Sequence, residues 1–176
     1  MTVLKATPIK HYQTTALEDW VTKFYINLSI YSPQEINEDY IAQSHNIFLH
    51  RKKMASFYQV VGRYSGITID LRESKNKQRE IFFHELCHIL RHSGNQVMMR
   101  KAFRELQEWD TKHFTKYAAI PHHMISYIPL NDENVIEQMV NMFKVTPELC
   151  EERLVQIKKG TELRQNLNKT FAFTLI

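Results

Sequence analysis

The chain has 176 residues, 43% of them hydrophobic, which is enough to bury one substantial core and too little for several independent ones. Lys and Arg number 23 against 19 Asp and Glu, a net charge of +4 that permits an anionic partner but by itself shows no nucleic-acid binding. No segment approaches the roughly 18 uninterrupted apolar residues of a membrane span, the opening MTVLKATPIKHYQTT has no signal-like apolar run, and a soluble, cytoplasmic protein is expected.

Thr15 and Glu18 form a capping box ahead of Leu17, Trp20, Val21, Phe24 and Leu28 at helical spacing, which predicts a first amphipathic helix. Ser32-Pro33-Gln34-Glu35 repeats the signal with a first-turn proline, and Ile36, Tyr40 and Ile41 supply the buried side of a second, shorter helix. From Asn46 to Leu71 the runs IFLH, ASFYQVV and GITIDL are rich in β-branched and aromatic residues, separated by RKK and by Gly62-Arg63-Tyr64-Ser65-Gly66. They predict a small antiparallel sheet of about three strands. Helical character returns after Ser74, through IFFHELCHILRH to a stop at Gly94, then from about Val97 to Ala119 ahead of Pro121. Beyond Pro129 and Asn131, VIEQMVNMF and PELCEERLVQI predict two short helices joined by a tight turn at Lys144-Val145-Thr146, a helix-turn-helix outline. The fold class is α+β and mostly helical. Cys87 and Cys150 are the only cysteines, expected as small buried side chains rather than a disulfide or redox pair.

His84 and His88 are four residues apart on the third predicted helix, separated by about 40° of rotation and one turn of rise, so both project from one side and can share an ion. Glu85 lies beside that face, where a carboxylate that is not a ligand can hold a water. Phe82, Leu86, Ile89 and Leu90 gather about half a turn away, placing the back of the helix in the core and the histidines toward a cleft. A chance HExxH in such a chain has a probability on the order of a few per cent, so a third ligand is needed. His92 continues the spacing but sits about 12 Å along the axis from His84, against zinc–nitrogen distances of about 2 Å. It is read as a helix-terminal or outer group rather than a ligand. On the next helix Glu105 and Glu108 occupy overlapping faces, with Asp110 roughly opposite Glu108. Glu108 follows His88 by 20 residues, the separation at which thermolysin-type gluzincins commonly present their third ligand; Glu105 is the reserve.

ITIDLRE leading into FFHELCHILRH, followed by ELQEW and FTKYAAIP, resembles the ImmA/IrrE metallo-endopeptidases, especially the ImmA-like members carried by mobile elements and temperate phages. The resemblance covers roughly residues 60 to 125 and, more loosely, the C-terminal helix pair. It implies a zincin-like metallopeptidase domain over residues 1–128, with a C-terminal helical subdomain over 129–176 packed on it. It further implies a zinc-dependent endopeptidase that cleaves a cognate helix-turn-helix repressor and so derepresses the element's genes. His84, His88 and Glu108 map to ligands of Zn2+ and Glu85 to the catalytic acid/base; Thr111 and Lys112 stand where the family usually has alanine and asparagine.

Zinc with three protein ligands leaves a fourth position for water, and an oxyanion donor is expected near it. His122, His123, Tyr117 and Tyr127 are the candidates, and the strand Ile67 to Leu71 is a candidate for pairing with extended substrate. The rival reading is a DNA-binding or repressor-binding regulator with a structural or inactive zinc site. Charge opposes direct DNA binding: from Asp132 to Lys159 there are six acidic and four basic residues, and the second helix of the pair opens with Glu148, Glu151 and Glu152, which would repel phosphates.

Overall fold

The first helix begins where the capping chemistry places it. In the computed structural model, which describes residues 12–92 and 100–173, with side chains as far as 161 on the last helix, α1 spans Ala16–Asn27. The Glu18 N–H donates to Thr15 Oγ1 at 3.2 Å and the Thr15 N–H donates to the Glu18 carboxylate at 2.9 Å, a box that stabilises the helix start by about 1 kcal/mol. The second expected helix divides in two. Glu35 closes its box over a single 3-10 turn, Pro33–Glu35, accepting from the Tyr31 and Ser32 N–H groups at 2.7 and 3.0 Å. Ile36 is then extended, and Asn37 caps a separate helix α2, Glu38–Ser44, by accepting from the Tyr40 N–H at 2.9 Å.

Three strands come next, β1 Ile47–Lys52, β2 Phe57–Val61 and β3 Tyr64–Asp70, in the spatial order β1-β3-β2. The β2–β3 pair is antiparallel around a turn containing Gly62 at φ +59, whereas β1 runs parallel to β3, from Ile47 opposite Ser65 to Lys52 opposite Asp70. The sheet is therefore mixed, and the antiparallel expectation holds for one of its two pairings. The reason lies in β3: residues 66–70 are all buried, the pattern of a strand covered on both faces. It takes the centre, the short turn commits β2 to one edge, and β1 occupies the other.

Helix α3, Lys75–Arg91, is capped by Ser74 Oγ, which accepts from the Lys77 N–H. It buries Phe82, Phe83, Leu86 and Cys87 completely. The expected stop at Gly94 and start near Val97 lie outside the described residues; α4 is described over Lys101–Ala119 and packs beside α3. After a 3-10 turn at His122–Tyr127, α5 spans Val135–Phe143 and ends at a left-handed Lys144. Helix α6, Pro147–Phe173, runs 27 residues, well past the PELCEERLVQI that the sequence pattern picks out. Gly160 is the poorest helix former on the way, at a cost of about 1 kcal/mol; beyond it Leu163, Leu167 and Phe171 recur at four-residue spacing in TELRQNLNKTFAF, a helical stripe that sequence reasoning missed. Val145, Cys150, Leu154 and Ile157 join one core with Tyr25, Phe82 and Phe114, and both cysteines are buried free thiols.

Two buried carboxylates lock the layers. Glu80 of α3 accepts from both the N–H and the hydroxyl of Thr146, at 2.8 and 2.6 Å, and so caps α6 from outside it. Glu18 pairs with Arg153 at 2.7 Å, both side chains having 0% exposure; Arg153 also lies over the Tyr117 ring and donates to the Ile120 carbonyl. The molecule is mostly helical with a small sheet, and among the described residues no helix is long and apolar enough to cross a membrane.

Candidate metal centre

Burial of Phe82, Phe83 and Leu86 turns the opposite side of α3 toward α4, and there His84 and His88 meet Glu108. The two Nε2 atoms are 3.3 Å apart, His88 Nε2 is 3.5 Å from Glu108 Oε1, and His84 Nε2 is 3.6 Å from Glu108 Oε2. Donors held 2.0–2.1 Å from one tetrahedral ion are separated by about 3.3 Å, so both the spacing and the donor set fit zinc. The cup opens to one side: the His88 side chain is 2% exposed, those of His84 and Glu108 39% and 49%. Glu105, the reserve ligand, is not brought in; it lies on the solvent face near Lys101. Asp110 turns to the end of α3, where it pairs with Arg91 and His92.

Burial, reinforced by His84, pushes the His88 imidazole down to about 4 against the pull of Glu108, and burial also lowers His84. Both rings are thus neutral at pH 7, the form with a lone pair to donate. Glu85 moves the other way: burial, then the Glu108 charge, push its carboxyl up to about 7, opposed by a hydrogen bond from the Tyr58 backbone N–H. A cation in the cup would draw it down again. The Tyr58 ring stacks on His88, centroids 4.9 Å apart at 15°. Sequence reasoning missed Tyr58. Alternation along FYQVV separates it from Phe57 and Gln59, but only the strand order brings its face against α3.

Three of the four candidate oxyanion donors are engaged elsewhere. Tyr117 lies under Arg153, His122 stacks on Tyr12, and His123 Nε2 is 3.4 Å from the Ile30 carbonyl; Tyr127 is exposed. Of the segment Ile67 to Leu71, the β1 side is paired as far as Asp70 and the β2 side as far as Thr68, so Ile67 and Thr68 have neighbours on both edges. The strand that borders the centre with an edge unpaired among the described residues is β2. A cleft of about 770 Å3 leads from His84 and Glu108 past Ile81 and Thr115 to Leu149 and Glu152 of α6.

The family described as the IrrE N-terminal-like domain, a peptidase family, matches residues 42–155, which include every residue of this centre. Two proteins of Bacillus subtilis (strain 168) are similar in sequence. The phage-like element PBSX protein XkdA is 36% identical over 156 residues, 86% of this chain and 79% of that protein. The uncharacterized protein YqaB is 33% identical over 145 residues, 81% of this chain and 84% of that protein. No solved structure matches.

Proposed function

The chain belongs to the IrrE N-terminal-like family of metallopeptidase type, and from that premise we propose that it is a zinc-dependent endopeptidase that cleaves a cognate transcriptional repressor of a mobile element or phage. The observation that carries the reading is the convergence of His84, His88 and Glu108 at 3.3 to 3.6 Å with Glu85 alongside. Similarity to a phage-like element protein supports the choice of substrate.

His84, His88 and Glu108 would hold the ion. Zinc, when bound, supplies a Lewis acid that activates water and polarises the scissile carbonyl. Glu85 takes the proton of the attacking water and passes it to the leaving amine. The Tyr58 N–H holds that carboxylate in place, and the Tyr58 ring shields His88 from solvent. The open edge of β2 supplies main-chain hydrogen bonds to an extended substrate.

Glu85→Gln tests the proposal. The amide is nearly isosteric but cannot accept a proton at neutral pH, so the variant should keep one zinc per chain and lose cleavage of the element's repressor by roughly 10²–10⁴-fold. Elemental analysis and an incubation with the purified repressor read the two effects separately. Cleavage by Glu85→Gln at near the unaltered rate would defeat the mechanism.

A further inference from the structure

Both ring nitrogens of His88 have partners. Its Nε2 faces His84 and Glu108, while its Nδ1 lies 3.1 Å from His92 Nδ1. His92 in turn places Nε2 3.0 Å from Asp110 Oδ2, and Arg91 grips the same carboxylate, Nε to Oδ2 at 3.0 Å and Nη2 to Oδ1 at 3.2 Å. The His92 side chain is 9% exposed, so this chain of contacts runs through the interior edge of the α3–α4 packing.

The order of protons along it comes from donor and acceptor chemistry. An ionised carboxylate only accepts, so His92 carries its hydrogen on Nε2. His88 can serve as a ligand through Nε2 only with its lone pair there and its hydrogen on Nδ1, the atom 3.1 Å from His92 Nδ1. The hydrogen between the two rings therefore sits on His88 Nδ1, and the His88 lone pair is left on Nε2, the atom that faces the cup.

We infer that His92 and Asp110 are positioning residues that act through His88, fixing its tautomer and ring plane so that Nε2 is presented to the metal. The inference rests on the assignment of His88 as a ligand in the proposed function. It gives the third histidine of the HExxH helix a role that its distance from the cup denies it as a ligand: one turn beyond His88, it reaches the back of that ring. Arg91 completes the arrangement by balancing the Asp110 charge. Cys87 Sγ, His92 and Asp110 also lie within ligand distance of one another, but the Arg91 guanidinium already occupies both carboxylate oxygens.

The test is nitrogen NMR of the full-length chain with labelled histidine, without metal and with one equivalent of zinc, together with zinc affinity by chelator competition. In water a neutral histidine favours the Nε2–H form, so the expected result, His88 protonated on Nδ1 in the metal-free chain, is not the default. A nitrogen–nitrogen coupling across the hydrogen bond between His88 and His92 should be present in both states. His92→Phe should abolish the coupling, return His88 toward the Nε2–H form and weaken zinc roughly 10–100-fold. Asp110→Asn, which keeps the shape, should weaken zinc by less in the same direction. The relay is overturned by an Nε2-protonated His88 in the unaltered chain, by zinc affinity unchanged in both variants, or by a second zinc equivalent that Cys87→Ala removes. If the unaltered chain shows the coupling but takes up no zinc, the ligand assignment fails and the relay stands.

Discussion

Glu105 and Glu108 sit less than a turn apart on α4 and meet opposite surroundings, one near Lys101 in solvent and the other between two imidazoles. Zinc affinity should therefore separate them. In calorimetric titrations Glu108→Ala should lose more than the roughly 10–100-fold typical of an outer partner, while Glu105→Ala stays close to the unaltered chain; the reverse order would move the third ligand to Glu105. The sequence makes the histidines legible because a four-residue spacing on one helix is a local property. Rotation along α4 leaves Glu105 and Glu108 in competition, and only resemblance to known peptidases favours the second. The packing of α4 against α3 is what separates them in space, and no local pattern encodes it. Tyr58, whose ring and N–H both serve the centre, is hidden for the same reason.

Elements show a similar division between local signals and tertiary choices. The Thr15 box, the Ser74 cap and the β2–β3 turn are readable because each is settled within a few residues. The break at Asn37 and the parallel pairing of β1 are not, since a competing cap and a buried central strand leave no periodic trace; the length of α6 is legible only in part, because Gly160 interrupts the pattern before Leu163, Leu167 and Phe171 resume it. The turn permits a clean measurement. Gly62 has φ +59, and a Cβ there would meet nothing within 4 Å, so Gly62→Ala incurs only the left-handed backbone penalty of about 1–2 kcal/mol. Thermal unfolding should register a drop of roughly 2–4 °C for each kcal/mol, and Gly62→Asn should drop less. An unchanged midpoint for Gly62→Ala would mean the turn does not hold this conformation in solution.

Across the whole molecule, the Glu18–Arg153 pair joins residues 135 positions apart, a contact that no sequence pattern announces although the cap made by the same glutamate is plain. Burial alone would raise the Glu18 carboxyl, but the Arg153 guanidinium, the Thr15 N–H and the Tyr12 hydroxyl outweigh it and hold it below the ordinary carboxylate value. With the folded value depressed, the stabilisation is fully present above the unfolded value of about 4.3 and is lost as pH falls through the folded one. The thermal midpoint of the unaltered chain should thus decline more steeply below about pH 4 than that of a Glu18→Gln, Arg153→Met double variant; equal slopes would show that Glu18 is not coupled to folding. Arg153→Met alone strands a buried carboxylate and should cost about 3–5 kcal/mol. The strand order also sets a timetable. Among the described residues β1 pairs with β3 alone, while β2, the next strand along the chain, is not its neighbour. A chain made from its N-terminus therefore releases Ile47–Lys52 before its partner exists. Helix α2, made earlier, can already pack against that strand, but its ladder cannot form until Tyr64–Asp70 has emerged and folded back beside β2, so the sheet beneath the HExxH helix is assembled around the strand that is synthesised last.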